Sequence, residues 1–420
     1  MSVRRRSRFA TYENFIVTMM FLTYGFVFMD RLSITFLFPF IVPALKLTNA
    51  QVGLSVSILS ICWAVSSYLF SSLSDILNAK KRFLIVIILV FSLASVSTGL
   101  ATTFGVLMLA RAVMGVAEGP VVTLTQTAVV ADSTPSRRGL NVGVVQSSVS
   151  LLGSTLGPLL LIPIAAALGW HKAFYLLAIP SFIVALVLMK YMREPNLSAA
   201  AGAPKVEHQR PPLKDYLQVF KHRNIWLGVL MSIGFMSWMF STTTFGPLFY
   251  TKVDHMSEGH LSLFLTLMGL SQFVGQLIAP WVSDRIGRKP TMVLSGLMLV
   301  FSVLVLIYVH SFTPLLLWTI LFGLGSGYPS IFMAVIPAES VPKAFIATAM
   351  SLIVLVGELG GGTVIPTVAG YLSDKYSLFA PLWLALGGTV FVVLLSFGLK
   401  ETAPRVLRRR DANIEENVAV

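Results

Sequence analysis

The strongest constraint on this chain is a series of twelve apolar runs, each long enough to cross a lipid bilayer as a helix. A bilayer core of about 30 Å takes roughly 20 residues in helical conformation. The loops between the runs are short, which leaves no room for a soluble catalytic domain. With 55% hydrophobic and only 12% charged residues, the chain is predicted to be an all-α membrane protein. The runs lie at 15–43, 51–73, 83–101, 105–131, 139–168, 173–192, 224–250, 260–283, 291–309, 314–336, 345–370 and 379–398.

The first run follows the basic stretch MSVRRRSR but is much longer than the core of a signal peptide, and no small-residue cleavage site follows it. We therefore expect a retained first helix. The single cysteine, Cys62, lies inside the second run, so a disulfide framework and a cysteine-based metal site are excluded. We interpret it as a packing residue.

The net charge of +13 is a guide to topology. Of the 31 Lys and Arg residues, 25 lie in the termini and even-numbered loops, four lie in odd-numbered loops, and Arg31 and Arg111 lie within runs. Basic residues concentrate in cytoplasmic loops of membrane proteins. The distribution predicts that both termini are cytoplasmic and that the charge serves topology and contact with the lipid bilayer, with no nucleic-acid partner.

Sequence landmarks recur across the middle of the chain at an almost constant offset. SDILNAKKR from Ser74 matches SDRIGRKP from Ser283, and EGP ending at Pro120 matches GYP ending at Pro329. DSTPSRR and ESVPK, and then LGPLL and VIPTV, follow at offsets of 207 to 209 residues. Such a period indicates a duplicated six-helix bundle.

The duplication predicts the domain organisation. We expect an N-terminal six-helix bundle at 1–192, a cytoplasmic linker at 193–223, a C-terminal bundle at 224–400 and a cytoplasmic tail at 401–420. In transporters built from such repeats the substrate site lies near the bilayer midplane at the repeat interface.

Five ionisable residues lie well inside apolar runs, where insertion costs about 3 kcal/mol each. Together they would cost roughly 15 kcal/mol, which rivals the whole stability of an ordinary domain. They must therefore face the protein interior. They are Asp30, Arg31, Arg111, Glu118 and Glu358.

Arg111, Gly115 and Glu118 are spaced to share one face of the fourth helix. The glycine leaves room beside that face for a neighbouring helix.

SDRIGRKP resembles the loop signature of the major facilitator superfamily, and the resemblance covers almost the whole chain. MDRLS in the first helix, RAVMGVAEGP in the fourth and LGWHKAF before the sixth together resemble the anion:cation symporter branch, which includes bacterial sugar-acid carriers and vesicular organic-anion transporters. The resemblance implies twelve transmembrane helices in two pseudo-symmetric bundles.

The resemblance also implies roles for the buried charges. Asp30 and Glu118 would take up the coupled protons, and Arg31 would hold the substrate carboxylate. These roles agree with side-chain chemistry, because a desolvated carboxylate is readily neutralised, whereas arginine stays charged and offers a planar fork to a carboxylate. The structural alternative is an ion-pair network, in which Arg111 neutralises Glu118 or Asp30 instead of binding substrate.

Three positions depart from the pattern of the branch. Phe28 and Trp63 stand where tyrosines are common, and Glu358 stands where an asparagine is usual. Two hydroxyls are lost and an acid is gained, which favours a less polar or aromatic carboxylate over a heavily hydroxylated sugar acid. Glu358 could act as a proton site, a hydrogen-bond acceptor for substrate or a structural partner of an arginine.

Further candidates have equally plain structural alternatives. Gln146 resembles a substrate-contacting position of the branch; the alternative is an amide hydrogen bond that joins two helices. Phe28, Trp63 and Trp238 either line the substrate site or belong to the apolar core. A conformational gating role, through salt bridges that break between access states, is predicted for charged residues at helix ends. These are Asp284, Arg285, Arg288, Asp132 and Glu339.

The sequence therefore predicts a secondary transporter of the bacterial inner membrane that imports an organic carboxylate by proton symport through alternating access. The predicted form is a functional monomer that uses no metal or cofactor besides the coupling proton. The alternatives are a proton-coupled efflux antiporter of the same superfamily and a transport-incompetent solute sensor. A membrane-embedded enzyme finds no support, because no nucleophile and base are paired in the sequence.

Overall fold

The computed structural model describes residues 11–77, 79–134, 136–195, 219, 221–342 and 345–408. Every regular element in these residues is helical. The α-helices before the linker are α1 (Tyr12–Leu45), α2 (Asn49–Ile76), α3 (Lys80–Gly99), α4 (Phe104–Glu118), α5 (Val121–Asp132), α6 (Arg138–Ser148), α7 (Gly157–Leu168) and α8 (Trp170–Tyr191). The α-helices after it are α9 (Arg223–Lys252), α10 (Glu258–Ile286), α11 (Arg288–Tyr308), α12 (Phe312–Gly325), α13 (Ile336–Ser340), α14 (Ile346–Gly357), α15 (Ile365–Lys375) and α16 (Ala380–Phe397).

Eleven helical segments of the described chain are long and apolar enough to cross a membrane. The predicted tenth run, 314–336, instead forms two shorter helical pieces, Phe312–Gly325 and Ile331–Ser340. The prediction of an all-α membrane protein is confirmed. Most of the predicted linker, residues 196–218 and 220, and tail residues 409–420 lie outside the described residues.

Helix contacts divide the described chain into two compact units. The first unit holds the described residues up to 46 and from 58 to 195. The second holds residues 47–57 and those from 219 onward. The helix α2 is therefore shared, because its first two turns belong to the second unit and the remainder to the first.

The most enclosed helix of each unit is the first one of its repeat. Of the most apolar stretch of α1, 67% is buried, and the corresponding figure for α9 is 72%. In the first unit, Ile16 and Met20 of α1 pack with Ile88 of α3, Leu124 of α5 and Leu188 of α8. A residue on α1 therefore points into protein on most sides, which positions the charged pair that this helix carries.

The repeated proline landmarks coincide with helix interruptions. Gly119 and Pro120 separate α4 from α5, and a turn at 326–328, directly before Pro329, follows α12. Proline lacks the N–H that would continue the helical hydrogen-bond ladder. The fourth span is consequently built from two pieces, and Glu118 is the last residue of the first piece.

Two π-helical segments also recur at the repeat offset. In a π turn each N–H bonds to the carbonyl five residues before it, and such turns often mark functional positions. One segment, Val149–Leu156, joins α6 to α7, and the other, Glu358–Val364, joins α14 to α15. A third π segment, Ile331–Val335, precedes α13.

Candidate functional site

Asp30 lies at the centre of the first unit with none of its surface exposed. Its Oδ1 accepts a hydrogen bond of 3.1 Å from the hydroxyl of Ser95 on α3, and that hydroxyl also lies 3.3 Å from the carbonyl oxygen of Phe174. The second carboxyl oxygen, Oδ2, has no hydrogen-bond partner among the described residues. Asp30 is thus held by one neutral donor rather than by a close counter-charge.

Arg31 follows directly but faces a different environment, since consecutive residues of a helix point about 100° apart. Its side chain is half-buried. The guanidinium carbon lies 5.2 Å from the ring centre of Trp63 and 5.8 Å from that of Phe28. A permanent cation is therefore flanked by two aromatic rings, an arrangement that cation–π attraction stabilises.

The helix α4 adds two more buried charges. Arg111 is 1% exposed and Glu118 is not exposed at all. The Arg111 Nη1 donates to the sulfur of Met114 at 3.2 Å, and Nη2 donates to the carbonyl oxygen of Arg31 at 3.4 Å. Both carboxyl oxygens of Glu118 lack a hydrogen-bond partner in the part of the chain that the structure describes.

Asp30, Arg111 and Glu118 form no salt bridge with one another or with any other described residue. The charges interact at longer range: Arg31, Arg111 and Asp30 all act electrostatically on Glu118. Arg111 consequently lies among the acids and acts on them at longer range, without a direct ion pair to either of them in the part of the chain that the structure describes.

Glycines bring α4 close to α2, as the spacing of the fourth run predicted. A methyl group on Gly115 would collide with the carbonyl oxygen of Leu59 and meet the Cβ of Cys62 at 2.9 Å. Gly119 is packed in the same way against Trp63 and Ser66. Because α2 and α4 approach each other closely, Trp63 of α2 lies beside the Arg31 side chain.

The second unit lacks a corresponding group of charges. Asp30 corresponds to Trp238 at the offset of 208 residues, and at the offset of 209 that the EGP and GYP landmarks give, Arg111 corresponds to Ile320 and Glu118 to Gly327. Trp238 is 1% exposed in the core of that unit, with its ring centre 5.5 Å from that of Phe235. Ionisable side chains occupy these positions in the first unit only.

Gln146 and Glu358 lie beside or within the two repeated π segments. Gln146 is exposed on α6, shortly before the first π segment. Glu358 is half-buried and begins the π segment of the second unit, where a methyl group on Gly362 would meet its carboxyl oxygen at 2.6 Å. Their predicted substrate contacts stay predictions, as do those of Phe28, Trp63 and Trp238.

Three of the five predicted gating residues form one charge cluster, and the other two lie outside it. Arg288 is the centre of a charge cluster: its guanidinium pairs with Asp284 at 2.6 Å and, through two nitrogens, with Glu339 at 2.8 and 3.1 Å. Arg285 is exposed and lies over the ring of Trp281 at 3.4 Å. Asp132 is half-buried and pairs with no described cation.

Sequence reasoning missed the acidic residue of the first unit that forms an ion pair with Arg137. Glu13, at the start of α1, pairs with Arg137 at 3.9 Å and accepts hydrogen bonds from Asn141 at 2.8 Å and Thr134 at 3.3 Å. Ser95 was missed as well, because nothing distinguishes one serine among the many in the spans. The acidic first turn of α1 could have indicated Glu13.

An additional acid and histidine pair lies outside the spans of the second unit. Asp254 and His310 are joined at 2.7 Å, and the Asp254 side chain is 1% exposed. Burial raises the pKa of the Asp254 carboxyl above its ordinary value, although the hydrogen bond from His310 opposes the shift.

A family model described as the Major Facilitator Superfamily matches residues 20–362 and, in a second overlapping match, residues 246–417. The chain belongs to the Major Facilitator Superfamily. The second match starts inside α9 and reaches the end of the chain's spans, in agreement with a duplicated architecture.

Curated relatives within this superfamily are named as transporters of organic acids. The hexuronate transporter of Bacillus subtilis (strain 168) is 24% identical over 89% of this chain and 91% of its own length. The D-galactonate transporter of Escherichia coli O6:H1 is 25% identical over 91% of this chain and 94% of its own length. The probable sulfoacetate transporter of Cupriavidus necator is 26% identical over 66% of each chain.

Solved structures show the same fold. A bacterial homologue of the human lysosomal transporter Spinster superimposes with a TM-score of 0.78 at 16% identity, over 92% of this chain and 96% of that chain. The nucleoside transporter NupG gives a TM-score of 0.74 at 16% identity, over 91% and 98%. The predicted superfamily is confirmed, and its relatives and fold neighbours are transporters rather than enzymes.

Proposed function

We propose that this member of the Major Facilitator Superfamily imports an organic carboxylate together with protons by alternating access. The observation that carries the proposal is the buried group of the first unit. It contains two carboxylates and one guanidinium, each at most 1% exposed, without direct ion pairs among the described residues. Burial of such groups is expensive in lipid, so their retention favours a function in transport.

Arg31 is the proposed anchor of the substrate carboxylate. Its guanidinium keeps its charge throughout a proton cycle, and its planar fork matches a carboxylate. The rings of Phe28 and Trp63 beside it would contact the body of the substrate. This supports a carboxylate with an apolar portion, within the organic-acid class that the relatives' names indicate.

Asp30 and Glu118 are the proposed proton carriers. Their oxygens that lack a described partner would be costly to keep charged in a dry interior and are readily satisfied by a proton. Arg31 and Arg111 act electrostatically on Glu118. A substrate anion bound at Arg31 would offset that positive charge and favour protonation of the acid, which couples the two ligands.

The test is uptake of aliphatic, aromatic and sugar carboxylates into proteoliposomes under an inward proton gradient. The wild type should accumulate one class, and an uncoupler should abolish the accumulation. Arg31→Ala removes a charged hydrogen bond of about 1.5–3 kcal/mol, so its apparent affinity should fall by roughly 10- to 150-fold. Glu118→Gln should retain exchange of substrate but lose accumulation against a gradient.

Matched controls are Arg82→Ala and Glu258→Gln, which remove exposed charges outside the buried group. Both should transport like the wild type. Movement of a cationic or neutral compound with no carboxylate uptake would replace symport with proton-coupled efflux. Accumulation that survives Glu118→Gln would remove that residue from the proton path.

A further inference from the structure

A cavity of about 330 Å³ opens at one end of the second unit, where the first helix of the repeat begins and the last one ends. Its volume falls within the range of small-molecule sites, roughly 300–1,000 Å³. It is lined by the residues before and at the start of α9, by Ser340, and by residues that follow α16. These are Lys221, His222, Arg223, Asn224, Ser340, Lys400, Glu401 and Thr402.

The charge of the lining is positive overall. Lys221, Arg223 and Lys400 form no ion pair with any described residue. The one acidic lining residue, Glu401, is fixed by backbone donors: its Oε1 accepts from the N–H groups of Arg288 at 2.8 Å and Ala403 at 2.9 Å. Three cations therefore line the cavity against one carboxylate, which leaves an excess of positive charge.

The backbone contributes potentials of both signs. The N-terminal end of α9, which has no side-chain cap, lies among the lining residues with its positive dipole end, and the C-terminal ends of α13 and α16 adjoin them with negative ends. Asn224, which is buried, fixes the wall: its Oδ1 accepts from the N–H of Lys400 at 3.0 Å, and its Nδ2 donates to the Ser340 hydroxyl at 3.0 Å. The cavity wall is held by these bonds whether or not an anion is bound.

The repeat provides an internal comparison. In the first unit the residue that corresponds to Lys400 is Arg193, and its backbone N–H donates to the hydroxyl of Tyr12 at 2.7 Å. There the guanidinium of Arg193 stacks over the Tyr12 ring at 4.6 Å. In the second unit the backbone N–H of Lys400 donates instead to the Oδ1 of Asn224 at 3.0 Å, and the described residues include no ring contact of the Lys400 ammonium group.

From these contacts we infer that the cavity binds a phosphate group, as carried by an anionic phospholipid or by phosphate in solution. Its cations belong to the central linker and the segment after the last span, which are predicted to be cytoplasmic, and basic pockets between transmembrane helices on the cytoplasmic side are suited to anionic headgroups. Trp226, one turn into α9, is 48% exposed, and Phe397 at the end of α16 is 57% exposed. Aromatic side chains at this depth fit the interface of a bilayer and favour the phospholipid.

The test measures binding rather than transport, so it does not depend on the proposed substrate. Purified protein in detergent is titrated calorimetrically with short-chain phosphatidylglycerol, with phosphatidylcholine of the same chain length, and with inorganic phosphate. The double variant Arg223→Gln and Lys400→Gln removes two lining cations. The control double variant Arg82→Gln and Lys190→Gln removes two exposed cations of the first unit.

Phosphatidylglycerol should bind the wild type more tightly than phosphatidylcholine does. The lining variant should weaken phosphatidylglycerol binding by about 30-fold, and the control variant should leave it unchanged. Binding of inorganic phosphate with the same dependence on the variants, without preference for phosphatidylglycerol, would support the site with a soluble anion as its ligand. The single variant Lys400→Gln repeats the test if the double variant fails to fold.

Two results would overturn the inference. One is the absence of both phosphatidylglycerol and phosphate binding in the wild type. The other is an equal loss in the lining and control variants, which would show that general positive charge rather than this cavity attracts the anion.

Discussion

Replacement of Arg288 by alanine should destabilise the second unit far more than replacement of its neighbour Arg285. The Arg288 side chain is 5% exposed and forms two hydrogen bonds with Glu339, whose side chain is 21% exposed. A charged pair of this kind contributes about 1.5–3 kcal/mol. Its second partner, Asp284, is 65% exposed and adds at most about 1 kcal/mol.

The expected loss for Arg288→Ala is therefore about 2–4 kcal/mol. For a unit of this size the apparent melting temperature should fall by roughly 4–16 °C, at about 2–4 °C per kcal/mol. Arg288→Lys keeps the charge but loses the bidentate geometry, so its melting temperature should lie about halfway between those of the wild type and Arg288→Ala. Differential scanning fluorimetry of detergent-purified protein measures all three.

Arg285→Ala is the matched control. This arginine is exposed and contacts only the ring of Trp281 among the described residues, an interaction of about 0.5–1 kcal/mol. Its melting temperature should stay within about 4 °C of the wild type. Equal shifts for the two alanine variants would refute the assignment of the charge cluster to Arg288.

Two further predictions concern packing and pH. Gly115→Ala should destabilise the protein by about 1–3 kcal/mol, because the new methyl group collides with the backbone of α2. The control Gly139→Ala should leave stability unchanged, because no atom lies within 4 Å of its added methyl group. Similar shifts of the melting temperature in both variants would contradict the close packing of α4 against α2. Asp254→Asn should remove a pH dependence of stability. Because burial raises the pKa of folded Asp254, its contribution is fully present below the ordinary value of about 3.9 and is lost as the pH rises through the folded value. The melting temperature of the wild type relative to Asp254→Asn should therefore fall as the pH rises above about 4, and a constant difference would show that Asp254 does not titrate in this way.

Much of the fold could be predicted from the sequence because lipid imposes long apolar runs, and duplication repeats its landmarks. The buried group was equally accessible, since an ionisable residue in such a run has to face protein. Asp30, Arg31, Arg111 and Glu118 were found for this reason. That the charges of α1 and of α4 lie near one another is a result of tertiary packing, as the hydrogen bond from Arg111 to the carbonyl oxygen of Arg31 illustrates.

The partners of these charges could not be predicted. Ser95 and Met114 are ordinary residues of apolar spans, and only packing selects them as the donor to Asp30 and the acceptor from Arg111. The repeat aligns Asp132 with Glu339, and the structure adds Glu13 as the partner of the nearby Arg137. Contacts between distant parts of a chain are not encoded in a local pattern.

The paired π segments carry information about descent. A π turn contains more residues than an α turn, so each segment is equivalent to an insertion into a regular helix. The insertions that begin at Val149 and Glu358 are 209 residues apart, which is the period of the duplication itself. An insertion present before the duplication would leave this pattern in both halves. The segment Ile331–Val335 has an α-helical counterpart in α5, so that distortion is specific to the second half.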